Sequence, residues 1–117
     1  MEDLEGKQIE AFVKDNGKEP FTEWFNKLKN TRAKAKIISR IRRARRYNYG
    51  YHRRLGSDFL ELKERIEGGI RIYLGEDGDK IIILLLGGNK SSQKKDIKSA
   101  EEYWKEYKIK KDEENKL

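Results

Sequence analysis

Between residues 59 and 74 the chain alternates. Leu60, Leu62 and Ile66 fall at one parity, and Phe59, Glu61, Lys63 and Arg65 at the other. After Glu67-Gly68-Gly69, the residues Ile70, Ile72 and Leu74 share one parity, while Arg71 and Tyr73 take the second. Strand side chains point to opposite faces with a period of two, so the pattern predicts a β-hairpin with an aliphatic face and a cationic face. Glu64 is the one charge on the aliphatic side. A loop of Glu67, Gly68 and Gly69 pairs Ile66 with Ile70, Arg65 with Arg71, and Lys63 with Tyr73. A two-residue Gly68-Gly69 loop would mix the faces. The favoured register sets two guanidiniums against each other, a repulsion that a bound anion relieves.

The remaining periodicities complete a β-α-α-β-β-β-α order. Residues 7–14 read as a strand with Ile9, Ala11 and Val13 on one face and Phe12 on the other. Pro20 suits the first turn of a helix whose apolar face holds Phe21, Trp24, Phe25 and Leu28. Asn30 breaks it, and Thr31 is placed to cap a second helix over 32–47. Ala33, Ile37, Ile38, Ile41 and Ala44 form that helix's buried stripe, with Arg40, Arg42, Arg43, Arg45 and Arg46 around the outside. Residues 51–57 read as a loop with a cationic tip, His52-Arg53-Arg54. The run 81–86 is apolar without alternation, which predicts a central strand covered on both faces. Ser91 or Ser92 caps a last helix, with Ile97, Ala100, Trp104 and Tyr107 on one face. The implied architecture is α+β: a compact, largely antiparallel sheet with a helical pair on one face and the C-terminal helix on the other face or at an edge. Residues 1–117 form one domain, and 1–6 and 108–117 read as frayed tails.

Charge changes the picture. Charged residues make up 42% of the chain and the net charge is +7, which favours nucleic acid or an acidic protein as partner. There is no cysteine and a single histidine, so neither a disulfide framework nor a thiolate or His-rich metal centre is available. No cofactor is implied. The first ten residues have no apolar core of the signal-peptide type, and the longest apolar run is far too short to span a bilayer. A cytoplasmic location is therefore expected, with no membrane partner.

The candidate chemistry lies on the cationic face. Lys63, Arg65, Arg71 and Tyr73 share it, and Lys90 stands just past the strand that precedes the last helix. Gln93 and Lys94 open that helix, at an end whose backbone favours anions. Such a set suits RNA cleavage by attack of a 2′-hydroxyl on the adjacent phosphate, which needs no metal. Arginines stabilise charge on the phosphoryl oxygens. A lysine among arginines is a candidate base. Tyr73 is placed to orient the hydroxyl or stack on a base. His52, Arg53 and Arg54 are candidates for RNA contact.

The strings Leu55-Gly56, Leu60-Glu61-Leu62, Gly69-Ile70-Arg71-Ile72-Tyr73, Leu85-Leu86-Gly87-Gly88-Asn89-Lys90-Ser91-Ser92-Gln93 and Asp96-Ile97, with Ala100, resemble the RelE/ParE toxin superfamily, and within it the phage-derived HigB-like addiction-module killer proteins. The likeness spans residues 7–107. It implies a type II toxin–antitoxin component that cuts mRNA on the ribosome and is neutralised by a helix-turn-helix antitoxin. Arg71 matches the sheet arginine that contacts the scissile phosphate, and Lys63, Arg65 and Lys90 match basic positions of that family. The tyrosine that follows the last strand in RelE, and the acid and histidine near the C-terminus of HigB-type toxins, have no counterpart here. A ParE-like gyrase poison and a non-catalytic nucleic-acid-binding module are the alternative implications.

Overall fold

The computed structural model describes residues 6–116. The elements are β1 (Gln8–Ala11), α1 (Pro20–Lys27), α2 (Thr31–Arg45), β2 (His52–Arg54), β3 (Phe59–Glu64), β4 (Ile70–Asp77), β5 (Ile81–Asn89), a 3-10 turn (Lys90–Ser92) and α3 (Gln93–Asn115). The fold is α+β, as its periodicities predict. The sheet is largely antiparallel, as expected, but one parallel pair makes it mixed. Its order is β1-β5-β4-β3-β2, with β1 parallel to β5 and the other pairs antiparallel. No hairpin joins β1 to its neighbour, so nothing local dictates its direction. β2 lies where a loop is expected. It is a short, exposed edge strand of one histidine and two arginines, and charge at an edge discourages further pairing.

β5 sits between β1 and β4, and its continuous apolar run serves both faces. Ile82 and Leu84 join Phe21, Ala33, Ile37, Leu60, Leu62 and Ile72 beneath α1 and α2. Ile83 and Leu85 join Phe12, Phe59, Tyr73, Ala100 and Trp104 beneath α3. The last helix thus covers the face opposite the helical pair. Two indoles lie against glycines in the sheet. A Cβ at Gly87 would stand 2.1 Å from the Trp24 ring, and one at Gly75 2.4 Å from Trp104.

The hairpin register differs from the three-residue-loop prediction. Lys63 faces Arg71, Glu61 faces Tyr73 and Glu64 faces Ile70. Residues 65–69 make a longer loop, with φ of +53°, +73° and +98° at Glu67, Gly68 and Gly69. Ile66 packs against the core under α1 and α2 instead of pairing with Ile70. The slip is two residues, so the division of faces survives. β5 carries a bulge: Leu86 faces Tyr73 and Leu84 faces Leu74, leaving Leu85 as the extra residue. Gly88 thereby comes under the start of α3, where its Cβ would stand 1.9 Å from Asp96 Oδ2.

The helix ends also depart from expectation. Asn30, not Thr31, caps α2, accepting from the Ala33 amide at 3.0 Å. Asn89 caps the 3-10 turn in a reciprocal arrangement with Ser92, and Ser92 donates to Asp96. α3 continues to Asn115 rather than fraying from 108. Lys108 pairs with Asp58 at 3.6 Å and Lys111 with Asp77 at 3.7 Å, so the polar segment is tied along the sheet. Of the expected N-terminal tail, residues 1–5 lie outside the described residues.

Candidate phosphate-binding site

Lys63 of β3 and Arg71 of β4 are register partners on the α3 face, beyond the helix's first turn. Lys90 follows β5 directly. With Arg65, these cations gather around Tyr51. A depression of about 360 Å³ is lined by Tyr51, Arg65, Gly68, Gly69, Arg71 and Lys90, and no carboxylate lines it. Lys63 Nζ and Arg65 Cζ each lie 5.3 Å from the centre of the Tyr51 ring. Arg65 does not stand opposite Arg71. It reaches the depression from the exposed loop that follows β3. Among the described residues, Lys63, Arg65 and Lys90 make no ion pair. The floor depends on glycine: a Cβ at Gly69, which has φ +98°, would stand 3.1 Å from Arg71 Nη1.

The wall that carries Tyr51 is built from a residue assigned to the outer helix face by sequence. Arg40 is buried, only 3% exposed, in contrast to that assignment. It donates to the carbonyls of Tyr49 (2.6 Å) and Tyr51 (2.9 Å), to that of Lys63, and to the Glu64 carboxylate (3.1 Å). One guanidinium therefore ties the stretch from Tyr49 to Tyr51 to the end of β3. It also supplies the partner of the charge that breaks the aliphatic face. A second polar network stands behind β2. Lys7 donates to the Tyr49 hydroxyl at 2.6 Å, Tyr49 donates to Glu76, and Arg54 pairs with Glu76 at 2.8 Å.

The other expected site residues scatter. Tyr73 is fully buried under α3, so it is no surface for a base and cannot reach a 2′-hydroxyl. Burial, and then the negative charge of Glu61, push its hydroxyl well above the ordinary tyrosine range. His52 pairs in register with Leu62 and so faces the opposite side from Lys63. Its Nδ1 lies 2.8 Å from the Gly50 carbonyl and its ring meets Tyr49 edge-on. Arg54 shares that side and is held by Glu76. Arg53 is on the cationic side, 3.3 Å from Glu61. Gln93 turns inward and donates to Glu61 at 2.9 Å. Lys94 is exposed on the first turn of α3 and does not line the depression. Tyr51 and Arg40 are the two residues that sequence reasoning missed. Arg40 carried a signal, since it recurs on the helical stripe of Ala33, Ile37 and Ala44. Tyr51, one residue past Gly50, carried none.

Among the described residues, no group of three histidine or acidic side chains is placed to hold a metal ion, and no helix is long and apolar enough to cross a membrane.

No protein-family model matches the chain, and no solved structure matches it. It is 45% identical over 80 residues to a protein of Haemophilus influenzae described as uncharacterized, an alignment that covers 68% of this chain and 81% of the relative. The chain belongs to the same family as that protein.

Proposed function

We propose that this member of that family is an endoribonuclease toxin whose phosphate-binding site is the depression around Tyr51. The observation that carries the reading is the gathering of Lys63, Arg65, Arg71 and Lys90 at one open surface whose lining has no acid. Cations in a lysine-rich protein usually scatter among carboxylates. Here three of the four, Lys63, Arg65 and Lys90, have no carboxylate partner among the described residues, which raises the local anion concentration and suits a phosphodiester. The likeness of residues 7–107 to RelE/ParE toxins supports the same site, because Arg71 stands at the position of the phosphate-contacting arginine.

In this reading Arg71 and Arg65 hold the non-bridging oxygens of the scissile phosphate and stabilise the charge that builds on them. The 2′-oxygen bonds to phosphorus and the bond to the 5′-oxygen breaks, leaving a 2′,3′-cyclic phosphate and a 5′-hydroxyl. Lys63 is the amine placed to take the 2′-proton, and Tyr51 is the hydroxyl at hand to protonate the leaving oxygen. Tyr73, buried, has no part in the reaction. The partner implied by the resemblance is a helix-turn-helix antitoxin whose acidic surface covers these cations.

Inducible expression followed by mapping of mRNA 5′ ends tests the reading. New 5′ ends are expected with the wild-type chain and none with Arg71→Ala at equal protein level. Identical cleavage by the variant would remove the site. Intact mRNA with a DNA-damage response would instead indicate a gyrase poison, and binding without growth arrest a non-catalytic module.

A further inference from the structure

Among the described residues, Glu61 is the one acid completely enclosed by the sheet and α3, at 0% exposure. It stands on β3 between Arg53 of β2 and Tyr73 of β4. Its Oε1 is 3.3 Å from Arg53 Nη2. Its Oε2 accepts from Gln93 Nε2 at 2.9 Å and lies 3.9 Å from Arg71 Nε. Withdrawing a carboxylate from water costs several kcal/mol, and an apolar residue at this position would serve the core as well. The charge therefore needs a reason other than packing.

That reason lies in the surroundings. Glu61 Oε1, Arg71 Nε and the Tyr73 hydroxyl are all buried, yet none has a hydrogen-bond partner of ordinary geometry among the described residues. Buried polar atoms are seldom left so. Three around one carboxylate describe a network one short step from closure. That step brings Arg71 Nε from 3.9 Å to hydrogen-bond distance of Oε2. The carboxylate then grips the inner edge of the guanidinium, and Nη1, which donates to the Ile70 carbonyl at 3.4 Å, stays beside Gly69 at the floor of the depression. The same carboxylate oxygen already holds Gln93, the first residue of α3.

We infer that Glu61 is a positioning residue for the phosphate site: its buried carboxylate fixes Arg71 through Nε and ties that orientation to the start of α3 through Gln93. The inference rests on the reading of the depression as a site for RNA phosphate. It adds an acid that never touches substrate but decides where the phosphate-binding guanidinium points.

Glu61→Gln tests it. The amide keeps the shape and an acceptor for Gln93 while removing the charge. The probe is an uncleavable 2′-O-methyl hexanucleotide. The readouts are fluorescence anisotropy and the Nε–Hε resonance of Arg71, assigned by its loss in Arg71→Lys. In the wild-type chain the probe is expected to shift this resonance and slow its hydrogen exchange. In Glu61→Gln the resonance stays unprotected and affinity falls about tenfold, a coupling of ordinary size between touching residues. A purely structural role would lower the melting temperature and leave the resonance and affinity of the folded fraction unchanged, and that result overturns the inference. If Glu61→Gln does not fold, Gln93→Met severs only the tie to α3. A loss of Arg71 protection in that variant supports the inference, and wild-type protection overturns it. A wild-type chain that ignores the probe sinks the phosphate site and the inference together. One that binds it, with Glu61→Gln binding equally well, sinks the inference alone.

Discussion

Salt dependence offers the sharpest measure of how many cations the depression contributes. Each cation that neutralises a phosphate of single-stranded RNA releases condensed counterion, at a slope of about 0.7 in log affinity against log salt. Lys63, Arg65, Arg71 and Lys90 gather at the site, so the whole set gives a slope near −2.8 for a short oligonucleotide. Raising the salt from about 50 to about 200 mM then weakens binding about 50-fold. Arg71→Ala removes one contact, lowers the slope to about −2.1, and reduces the same loss to about 18-fold. The assay is anisotropy of a labelled 2′-O-methyl hexanucleotide across a salt series, which separates binding from cleavage. Arg42 and Arg43 supply the control. They line a separate depression with Ala35 and Ser39 on α2, across the sheet from the site. Their double alanine variant should keep the slope near −2.8, as the short probe cannot engage both surfaces. A slope that ignores Arg71→Ala but collapses on loss of Arg42 and Arg43 would place the polynucleotide on α2 and refute the site.

Three stability tests address the frame around the depression. Arg40→Ala strands the Glu64 charge and three carbonyls, and loss of one partner of a buried pair costs about 3–5 kcal/mol, to be read from urea denaturation with the midpoint falling at unchanged slope. Gly88→Ala drives a methyl group into Asp96 at the start of α3, so an overpacking cost of about 1–3 kcal/mol is expected, together with a changed Arg71 Nε–Hε resonance, because Gly88 is the register partner of Arg71. Burial alone would raise the Glu76 carboxyl, but hydrogen bonds from Arg54 and Tyr49 and the charges of Arg54 and Lys7 outweigh it and hold the group below its ordinary value. A depressed folded value means stabilisation that is present above the ordinary carboxylate range and lost as pH falls through the folded value. Glu76→Gln should therefore lower the melting temperature at pH near 7, with the difference from the wild-type chain shrinking as pH falls below the ordinary carboxylate range, and a difference that stays constant on acidification would remove the electrostatic origin.

How much of this was legible in the sequence follows from which features are periodic. The faces of β3 and β4 were readable because parity survives any slip of two residues. The register was not, because Ile66 reads equally well as a strand residue and as the loop residue that plugs the core. β5 was readable as a central strand, but its bulge hides inside an unbroken apolar run where Leu85 and Leu86 look alike. Glu64 announced a partner by breaking the aliphatic face, and the spacing of α2 held that partner at Arg40. What no pattern records is where α3 stops covering the sheet. Phe59, Glu61 and Tyr73 share a face with Lys63 and Arg71, and alternation cannot divide them. The helix begins at Gln93, directly over Glu61, so the first three lie beneath it while the two cations project past its end. That boundary turns Tyr73 from an expected substrate contact into core and buries Glu61, which shares the cationic face. It also leaves the contact with solvent to Tyr51, whose carbonyl is held against β3 by both the Arg40 guanidinium and the Lys63 amide.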